Sequence, residues 1–326
     1  MKILHLVMSK NFAGIEQHVN ELAGHQAKNH DVHVIATDEI LKKFSNNFQI
    51  HEIKNHGRRS YLHIFKLVKK IKKINPDIVH THGTKTTQII NIVKIILDFK
   101  HVSTIHGVKK NKKSYEKSDL VIGVSLKTIK DIKIDSIIIQ NWWSPSLDNN
   151  YEKSYEFALA VGRLEKVKGF DLLIRSWINV NTKLLIIGSG NEYQKLKSLI
   201  SELRLENKIT LISEINQEDL TSYYQKASAL VISSRHEGGP RVALEALYLK
   251  IPVISTNVGH MSEILPIEFM AEPDNINSLK ELVEEYVDDF KMYDQSSIFE
   301  YISREFSLEA QGNKVIEAYN DLLIRS

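Results

Sequence analysis

Short apolar, β-branched runs alternate with longer amphipathic segments along the whole chain. In the first half, the runs with the composition of buried strands are residues 3–7, 32–36, 48–53, 78–82, 102–105 and 120–124. Between them, residues 15–29, 61–74 and 86–97 repeat apolar positions at helical spacing. Strands that alternate with helices form a parallel sheet with helices on both faces, so the pattern predicts a doubly wound α/β domain.

The alternation stops at a polar and aromatic stretch, residues 141–154, and then begins again. Beyond it the strand-like runs are residues 157–161, 184–187, 209–212, 230–232 and 253–255. Such a restart predicts a second doubly wound domain rather than an extension of the first. We therefore expect residues 1–148 to form one Rossmann-like domain, completed by a C-terminal helix at about 307–326, and residues 149–306 to form another.

The segment 61–74 predicts an amphipathic helix with two distinct faces. Its apolar face is formed by Tyr61, Ile64, Phe65, Val68 and Ile71. A second face carries Lys66, Lys69, Lys70 and Lys73. A basic amphipathic helix can lie on anionic lipid headgroups. It can equally be an ordinary solvated surface helix, and the sequence leaves both interpretations open.

Composition limits the possible classes of function. The 326 residues are enough for two domains with their own cores. The chain has no cysteine, which excludes disulfides, thiolate metal ligands and cysteine nucleophiles. No apolar run reaches the roughly 18 residues of a membrane span, and Met1 leads directly into a strand-like run without a secretory leader. We therefore expect a cytoplasmic protein that is at most peripheral on the inner face of the cytoplasmic membrane.

Charge is divided unequally along the chain. Residues 1–150 hold 24 Lys and Arg against 13 Asp and Glu, a net +11. Residues 151–326 hold 19 against 27, a net −8. The basic half is expected to attract anionic partners, such as a membrane surface, while the acidic half is not.

The stretch 231–258 predicts a strand, a glycine loop, a helix and a second strand. Gly238 and Gly239 allow the backbone to approach a ligand, and Pro240 suits the first helical position. The helix N-terminus then offers unpaired N–H groups to a phosphate. Glu237 precedes this helix and Glu245 lies within it. Taken alone, such a pair is more often a capping acid and a solvated side chain.

Further candidates lie where strands run into helices, because ligands of doubly wound sheets bind beyond the carboxyl ends of strands. They are Gly14 after the first strand, His106 after the fifth, Arg163 and Lys168 after the run 157–161, and Gly188 after the run 184–187. Two cations such as Arg163 and Lys168 can hold a diphosphate and offset its charge as a leaving group. Each candidate alone also has a plain interpretation as a turn residue, a core histidine or a solvated cation.

Two other groups near these positions are interpreted more simply. His80 and His82 end the fourth strand and are read as structural, because no carboxylate or third histidine accompanies them at metal-ligand spacing. The basic stretch that follows His106 is read as a mobile loop that either receives an anionic acceptor or is solvated. It contains Lys109, Lys110, Lys112, Lys113 and Lys117.

Considered together, these segments resemble the retaining glycosyltransferases of family 4, which have the GT-B fold of two facing Rossmann-like domains with an interdomain crevice. The matching segments occur in the family's order and cover nearly the whole chain. They are THGTKT, TIHG, VIGVS, GRLEKVKGFDLLI, IIGSG, HEGGPRVALEAL and IPVIST. The segment GRLEKVKG together with the glutamate pair is the most specific part of the resemblance.

The resemblance implies a role for each candidate. Glu245 holds the donor ribose, Glu237 the transferred sugar, and Arg163 and Lys168 the diphosphate. His106 binds the sugar near the reacting carbon, and the phosphates and sugar meet Gly14 and the helix end formed by Gly238, Gly239 and Pro240. In this family the leaving diphosphate helps to deprotonate the incoming hydroxyl on the same face of the sugar. Configuration is therefore retained, and no protein base is assigned.

The sequence departs from the family pattern at four places. Ala13 stands where a second glycine is common, and Trp142 and Trp143 fall within a segment that is usually Asn-Gly-Val-Asp. His260 replaces a frequent glycine, and Lys250 stands at a helix end where glycine is usual. A left-handed Lys250 would cost about 1 kcal/mol relative to glycine. The departures at 141–144 and 260 leave the sugar and the acceptor undetermined.

The resemblance implies transfer of a hexose or N-acetylhexosamine from a nucleotide diphosphate sugar, most often UDP-linked, to a surface polysaccharide, a lipopolysaccharide or a lipid-linked glycan precursor. No Asp-x-Asp occurs, so we expect no metal and no other cofactor. The expected partners are the donor, the glycan acceptor and an anionic membrane surface, with no nucleic acid. Two alternatives remain: a GT-B sugar-nucleotide epimerase, and a non-catalytic GT-B subunit that binds sugar nucleotide for a partner.

Overall fold

A computed structural model describes residues 1–325 of the protein, except residues 56, 59, 151, 153, 214, 216 and 290–293. The chain divides into two compact units. Unit 1 consists of Met1–Asn141 together with Leu308–Ser326, and unit 2 is Trp142–Ser307. The first change of unit falls at Asn141, whereas the sequence analysis placed the boundary at residue 148. The C-terminal segment belongs to unit 1.

Unit 1 is a doubly wound α/β unit. In the described part of the chain, its strands are β1 (Lys2–Leu6), β2 (Asp31–Thr37), β3 (Gln49–Ile53), β4 (Ile78–His82), β5 (Lys100–Ile105), β6 (Leu120–Gly123) and β7 (Ser136–Ile138). Its helices are α1 (Gly14–Gln26), α2 (Tyr61–Ile74), α3 (Thr84–Val93), α4 (Leu126–Ile129) and α12 (Leu308–Ile324). The strands are all parallel, in the order β3-β2-β1-β4-β5-β6-β7. The order reverses between β1 and β4, which is where a doubly wound sheet opens a ligand site.

The central strands of unit 1 are buried on both faces, as their apolar composition predicts. Ile3, Leu4 and Val79 are fully buried. The same strands also bury His5 and His80, together with other histidines near their carboxyl ends. Buried imidazoles need hydrogen-bond partners, and several of these histidines are partners of one another.

Helix α2 is rotated from the orientation that the sequence analysis expected. Its buried residues are Ile64, Leu67, Ile71 and Ile74. Tyr61 and Phe65, which were assigned to the apolar face, are 85% and 57% exposed. The expected face was chosen by helical spacing, but the buried stripe is centred on Leu67 and Ile71, which turns Tyr61 and Phe65 towards solvent. No helix in the described part of the chain is long and apolar enough to cross a membrane.

Unit 2 repeats the doubly wound pattern. Its described strands are β8 (Phe157–Val161), β9 (Leu184–Ile187), β10 (Ile209–Ile212), β11 (Ala227–Ile232), β12 (Val253–Thr256) and β13 (Met270–Ala271). Its described helices are α5 (Phe170–Ser176), α6 (Tyr193–Glu202), α7 (Gln217–Lys226), α8 (Arg241–Tyr248), α9 (Met261–Ile264), α10 (Ile276–Tyr286) and α11 (Ser296–Glu305). The strands are parallel, in the order β10-β9-β8-β11-β12-β13. The carboxyl ends of β8 and β11, neighbours in this sheet, therefore lie side by side.

The element boundaries depend on side-chain chemistry at the ends. The bounds predicted for β4, β8, β9 and β10 agree with the structure. The short edge strands β7 and β13 were missed, because two or three residues carry no periodic signal. Pro240 was predicted at the first helical position but is the N-cap of α8, with ψ 110° in the extended region. The helix therefore begins one residue later, at Arg241.

Candidate active site

The loop from β8 to α5 carries Lys168 and is held against the end of β11. It contains a short 3-10 turn, Lys166–Lys168, after which Gly169 takes the left-handed conformation with φ 67°. A Cβ atom at Gly169 would lie 2.0 Å from the carbonyl oxygen of Ser233, so only glycine fits. Ser233 Oγ donates a hydrogen bond to the carbonyl oxygen of Lys168 at 3.0 Å. These contacts fix Lys168 beside the loop that joins β11 to α8.

Lys168 and Glu237, which are 69 positions apart in sequence, form an ion pair at this point. Lys168 Nζ donates to Glu237 Oε1 at 2.5 Å, and Ser234 Oγ donates to the same oxygen at 2.9 Å. Only 18% of the lysine side chain and 16% of the glutamate side chain are exposed, so water screens the pair incompletely. Within the part of the chain that the structure describes, both hydrogen bonds to this carboxylate end on Oε1.

Arg235, which was not predicted from the sequence, links the β11–α8 loop to the β8–α5 loop. Its guanidinium donates to both carboxylate oxygens of Asp171 at 2.7 and 2.8 Å, to Asp274 at 2.6 Å, and to the carbonyl oxygen of Lys166 at 2.7 Å. Hydrogen bonding to Asp171 raises the pKa of Arg235 above its usual value. Partial burial alone would raise the pKa of Asp171, but Arg235 lowers it below its usual value. The lysine turn is therefore held by a bidentate ion pair as well as by Gly169.

Arg163 does not join Lys168 in the structure, although both lie on the same loop. Its guanidinium donates to Glu165 Oε1 at 2.6 Å, and 68% of its side chain is exposed. The two cations were expected to hold one diphosphate, and the structure pairs Lys168 with Glu237 but Arg163 with Glu165. An exposed pair of this kind contributes little to stability, so Arg163 can exchange Glu165 for an anion at small cost.

Glu245 lies inside α8 and is buried. The phenol of Tyr224, on α7, donates to Glu245 Oε2 at 3.1 Å. Burial, and then the charge of Glu245, raise the pKa of Tyr224 well above its usual value, so the phenol remains a donor. Glu245 stands in a recognisable motif, whereas Tyr224, 21 positions earlier, has no signal in the sequence.

The glycines of the β9–α6 loop are required by packing. Gly188 has φ 156°, and a Cβ atom there would lie 1.9 Å from the carbonyl oxygen of Gly162. At Gly190 the corresponding distance to the carbonyl oxygen of Leu164 is 2.3 Å. Gly188 was selected for close approach to the donor. The structure supplies another reason for glycine, since this loop presses on the backbone that flanks Arg163.

Of the family-divergent residues of unit 2, Trp142 and His260 are buried and Trp143 is half-buried, whereas Lys250 is exposed. Trp142 is 1% exposed, and the ring of Trp143 stacks on that of Tyr248 at 3.8 Å and 8°. His260 is fully buried and contacts the ring of Phe306 edge-on. Gly259 takes φ 55°, and a Cβ atom there would lie 2.8 Å from the carbonyl oxygen of Gly238. Within unit 2, Trp143 therefore packs on α8, and Gly259 packs on the glycine loop before it.

In unit 1, the other predicted residues lie near the switch point of the sheet. Gly14 begins α1, and a Cβ atom there would meet nothing within 4 Å. Ala13 caps the helix, and its N–H donates to Glu16 Oε2 at 2.9 Å. His106 follows β5 and is half-buried. Open space at Gly14 is compatible with the close approach that the sequence analysis expected.

His106 is the outer end of a chain of hydrogen bonds. Gln26 Oε1 can only accept, so His5 Nε2 donates to it at 2.7 Å. His5 Nδ1 then accepts from His82 Nε2 at 3.1 Å, and His82 Nδ1 accepts from His106 Nε2 at 3.1 Å. With every ring neutral, this order leaves His106 Nδ1 as an acceptor. Gln26, three hydrogen bonds away, thereby selects the tautomer of His106.

Burial holds these rings neutral. It lowers the pKa of His5 to about 4 and, with the charge of Lys109 adding, that of His106 to about 3. Burial and neighbouring imidazoles hold the pKa values of His80 and His82 well below the usual value. His80 and His82 were interpreted as structural because no third histidine accompanies them at metal-ligand spacing in the sequence, but other histidines lie close to them in space. The fold brings one from β1, another from α1 (His18) and another after β5.

The basic stretch after His106 is anchored at two points. Tyr115 is fully buried, and its phenol lies 3.0 Å from Thr84 Oγ1. Lys112 Nζ donates to the carbonyl oxygen of Lys130. Lys109, Lys110 and Lys113 are exposed. The stretch that was expected to be a mobile loop is therefore pinned in its second half.

Two family models match the chain one after the other. The model described as Glycosyltransferase Family 4 matches residues 12–133, and the model described as Glycosyl transferases group 1 matches residues 147–301. The chain belongs to the group 1 glycosyltransferases. The first match lies within unit 1 and the second within unit 2, so the resemblance carried by the sequence motifs is confirmed in both halves of this glycosyltransferase.

Individual relatives agree with this assignment. An uncharacterized glycosyltransferase of Methanocaldococcus jannaschii is 29% identical over 300 residues, which cover 84% of this chain and 84% of that protein. The N-acetylgalactosamine-N,N'-diacetylbacillosaminyl-diphospho-undecaprenol 4-alpha-N-acetylgalactosaminyltransferase of Campylobacter jejuni is 32% identical over 183 residues. That match covers 53% of this chain and 49% of the Campylobacter protein.

Among solved structures, HepE of Anabaena in complex with UDP and glucose superposes with a TM-score of 0.83 at 17% identity. The superposition covers 98% of this chain and 100% of HepE. At this identity the likeness establishes the fold alone. The predicted fold class, a GT-B glycosyltransferase built from two Rossmann-like units with parallel sheets, is confirmed.

Proposed function

We propose that this glycosyltransferase transfers a hexose or N-acetylhexosamine from a nucleotide diphosphate sugar, with retention of configuration and without a metal. The observation that carries the proposal is the ion pair between Lys168 and Glu237 just before the N-terminus of α8. It sets a cation for phosphate and a carboxylate for sugar hydroxyls within one hydrogen bond of each other. A phosphate there would also lie at the positive end of the α8 helix dipole.

In this proposal the bond between the anomeric carbon and the diphosphate oxygen breaks as the acceptor oxygen bonds to the same face of that carbon. The acceptor proton passes to the departing phosphate oxygen. Lys168 and Arg163 offset the charge that grows on the diphosphate, which is where fixed charges lower a barrier most. Lys168 has three N–H donors and can keep Glu237 while it binds phosphate.

The remaining contacts follow from the same arrangement. Glu237 Oε2 accepts from a sugar hydroxyl, and Glu245 binds the ribose while Tyr224 orients its carboxylate. On the family resemblance alone, we extend the proposal to His106 as a contact to the sugar and to Gly14 as a contact to the phosphates. We also propose that the backbone at three glycines contacts the donor: Gly188, Gly238 and Gly239.

We take UDP as the nucleotide, because the structure of HepE, which shares this fold, contains UDP and glucose. For the acceptor we propose a surface polysaccharide, a lipopolysaccharide or a lipid-linked glycan precursor. The name of the Campylobacter relative describes transfer to a diphospho-undecaprenol-linked sugar, and such acceptors lie in a membrane. The proposed location is therefore the cytoplasm, peripheral on the inner face of the cytoplasmic membrane.

The solvent side of α2 supports the membrane part of the proposal. Tyr61, Leu62 and Phe65 are exposed in its first turns. The lysines Lys66, Lys69, Lys70, Lys72 and Lys73 follow along the same helix, and Lys69 Nζ lies 4.5 Å from the centroid of the Phe65 ring. Exposed aromatic residues beside lysines are typical of helices that lie in a membrane interface. The rotation of α2 thus adds apolar anchors to the basic face that the sequence predicted.

The first experiment is a donor screen in the presence of excess EDTA. Thermal shifts with UDP-, GDP- and ADP-sugars identify the donor, since a ligand at about 100 times its Kd adds about 2.7 kcal/mol of stability. Release of nucleotide from that donor is then measured with and without EDTA. We expect activity to persist in EDTA.

Loss of activity in EDTA that Mg²⁺ or Mn²⁺ restores would overturn the metal-free mechanism. Conversion of the donor sugar to an epimer without any acceptor would indicate the epimerase instead. Binding of the donor without turnover on any glycan acceptor would indicate a non-catalytic subunit.

A further inference from the structure

Unit 1 contains more histidine at its switch point than one sugar contact requires. The ring centroids of His18 and His106 are 4.7 Å apart, those of His82 and His106 are 5.4 Å apart, and those of His18 and His82 are 5.8 Å apart. The three side chains come from α1, the end of β4 and the turn after β5. His18 and His82 are buried and His106 is half-buried.

We propose that His18, His82 and His106 bind one transition-metal cation of the Zn²⁺ type. One ring nitrogen from each side chain lies within 4.8 Å of the other two. His82 Nδ1 and His106 Nε2 are 3.1 Å apart. Two imidazole ligands of tetrahedral Zn²⁺, each at about 2.0–2.1 Å, hold their nitrogens about 3.3 Å apart. This pair is therefore close to ligand spacing before any cation enters.

When the metal binds, it takes the place of the proton between His106 Nε2 and His82 Nδ1. In the hydrogen-bonded state, His106 Nε2 carries the proton that points at His82 Nδ1. When the cation takes that place, His106 holds its proton on Nδ1, so the ring stays neutral and both facing nitrogens become ligands. Three protein ligands leave one coordination position open, as in metal sites that exchange water or a ligand.

A neighbouring group is less suited to bind a metal cation; it consists of His5, His80 and His82. His5 uses both ring nitrogens, towards Gln26 and His82. His80 also uses both, towards Tyr319 at 2.5 Å and Thr104 at 2.6 Å. All three rings are buried, whereas His106 gives the proposed site a side that reaches solvent. An entry path of this kind is a requirement of a metal site.

The donors select the class of cation. All three ligands are imidazole nitrogens, which suit Zn²⁺, Co²⁺, Ni²⁺ and Cu²⁺, while Mg²⁺ and Mn²⁺ prefer oxygen. A second shell is already in place, because His82 Nε2 donates to His5 Nδ1, and His5 in turn donates to Gln26. Such outer hydrogen bonds fix the ring orientation of a metal ligand and raise its basicity.

The site has a consequence for catalysis that rests on the proposed function. A cation on His106 removes the ring from its contact with sugar. Zn²⁺ should therefore inhibit transfer in competition with the donor, although transfer itself needs no metal. Binding of the metal does not depend on any donor, so the two proposals can fail separately.

The test is titration of the EDTA-stripped full-length protein with Zn²⁺ by calorimetry, and with Co²⁺ by visible absorption. We expect one Zn²⁺ per chain, with a tetrahedral Co²⁺ spectrum and no comparable binding of Mg²⁺. His18→Ala and His106→Gln should each weaken binding of Zn²⁺ by at least about 100-fold, beyond the 10- to 100-fold typical of losing an outer hydrogen bond. His51→Ala is the matched control, since it removes one ring of another histidine pair, with His33, on the same sheet.

Three results would overturn the site. The first is a wild-type protein that binds no Zn²⁺. The second is unchanged affinity in both variants, and the third is an equal loss in His51→Ala, because binding would then lie on other histidines. Thermal unfolding of each metal-free variant verifies its fold, and His106→Gln decides the matter if His18→Ala does not fold.

Discussion

The ammonium group of Lys168 is positioned by two loops, β8–α5 and β11–α8. Gly169, Ser233 and Arg235 all fix the backbone near it, while its ammonium group contacts Glu237. A charge held this way needs no rearrangement when negative charge develops on a leaving group, which is why such groups have large effects on rate. Arg163, on the same loop, is held only by an exposed pair with Glu165.

We predict that Lys168→Ala and Arg163→Ala each lower kcat/KM by at least about 100-fold, the usual scale for one charge-stabilising group in a sheltered site. Lys166→Ala is the control, because that side chain is exposed on the same turn and only its carbonyl oxygen is used, by Arg235. Steady-state kinetics with the identified donor measure the effect. Near-normal activity in both variants would show that the β8–α5 loop faces solvent and does not bind the donor.

Several residues of the site could be predicted from sequence and several could not. Lys168, Glu237 and Glu245 stand in local motifs, so the family resemblance of those motifs was enough to select them as candidates. Arg235 and Tyr224 have partners 64 and 21 positions away, and the histidine chain joins four elements. Contacts of that kind arise from the fold, and no local pattern encodes them.

At the scale of elements, prediction worked where burial is continuous. Central strands such as β4 and β8 were found at their observed bounds, because parallel strands buried on both faces are uninterrupted apolar runs. It failed for the edge strands β7 and β13, which are too short, and for the rotation of α2. That rotation depends on tertiary packing: Leu67 and Ile74 are buried while Tyr61 is left outside.

The end of α8 allows a prediction about stability. Lys250 has φ 58°, the left-handed conformation that a side chain disfavours. We predict that Lys250→Gly raises the free energy of unfolding by about 1 kcal/mol. Lys250→Ala is the matched control: it also removes the exposed side chain but keeps the Cβ atom, so it should bring no such gain. Urea unfolding measures both, and an equal effect of the two variants would contradict the backbone explanation.

At the scale of the whole molecule, charge separates by unit. Unit 1 holds 26 Lys and Arg against 15 Asp and Glu, a net +11, and unit 2 accounts for the remaining −8. Each lysine near an anionic membrane contributes about 1 kcal/mol to binding, and exposed Leu62 and Phe65 add apolar contact. Only unit 1 is therefore expected to dock on such a surface.

We predict that the protein sediments with liposomes that contain anionic lipid at low salt and is released at high salt, because the Debye length falls below about 8 Å. Replacing Lys66, Lys69, Lys70 and Lys73 by glutamine should abolish the binding. The control replaces four exposed lysines of unit 2, Lys195, Lys197, Lys226 and Lys250. Retention of wild-type protein in the supernatant at low salt, or no difference between the two variants, would make α2 a solvated helix.

Buried neutral histidines also make the whole molecule sensitive to acid. His5 and His101 have folded pKa values of about 4 and about 3, mainly because of burial, against about 6.5 in the unfolded chain. Below pH 6.5 the unfolded state therefore binds more protons than the folded state. The free energy of unfolding therefore decreases as the pH is lowered, by up to about 1.4 kcal/mol per pH unit for each such histidine.

We predict a steep loss of stability between pH 6.5 and pH 4 in urea titrations that contain EDTA. His101→Gln should flatten this dependence, whereas replacing the exposed His236 by glutamine should leave its slope unchanged. A free energy of unfolding that stays constant from pH 7.5 to pH 5 would show that the rings are not held neutral by the fold.

The C-terminal helix α12 has a consequence for biosynthesis. It packs against α1, where a Cβ atom at Gly312 would lie 2.7 Å from the ring of His25, and Tyr319 bonds to His80. Translation therefore delivers this part of unit 1 only after all of unit 2 has been made. While the ribosome is still at work, unit 2 can fold as an unbroken segment, but the nascent first unit has polar groups such as His80 without their final partner. We therefore expect a chain that lacks residues 308–326 to keep a folded unit 2 and an unstable unit 1.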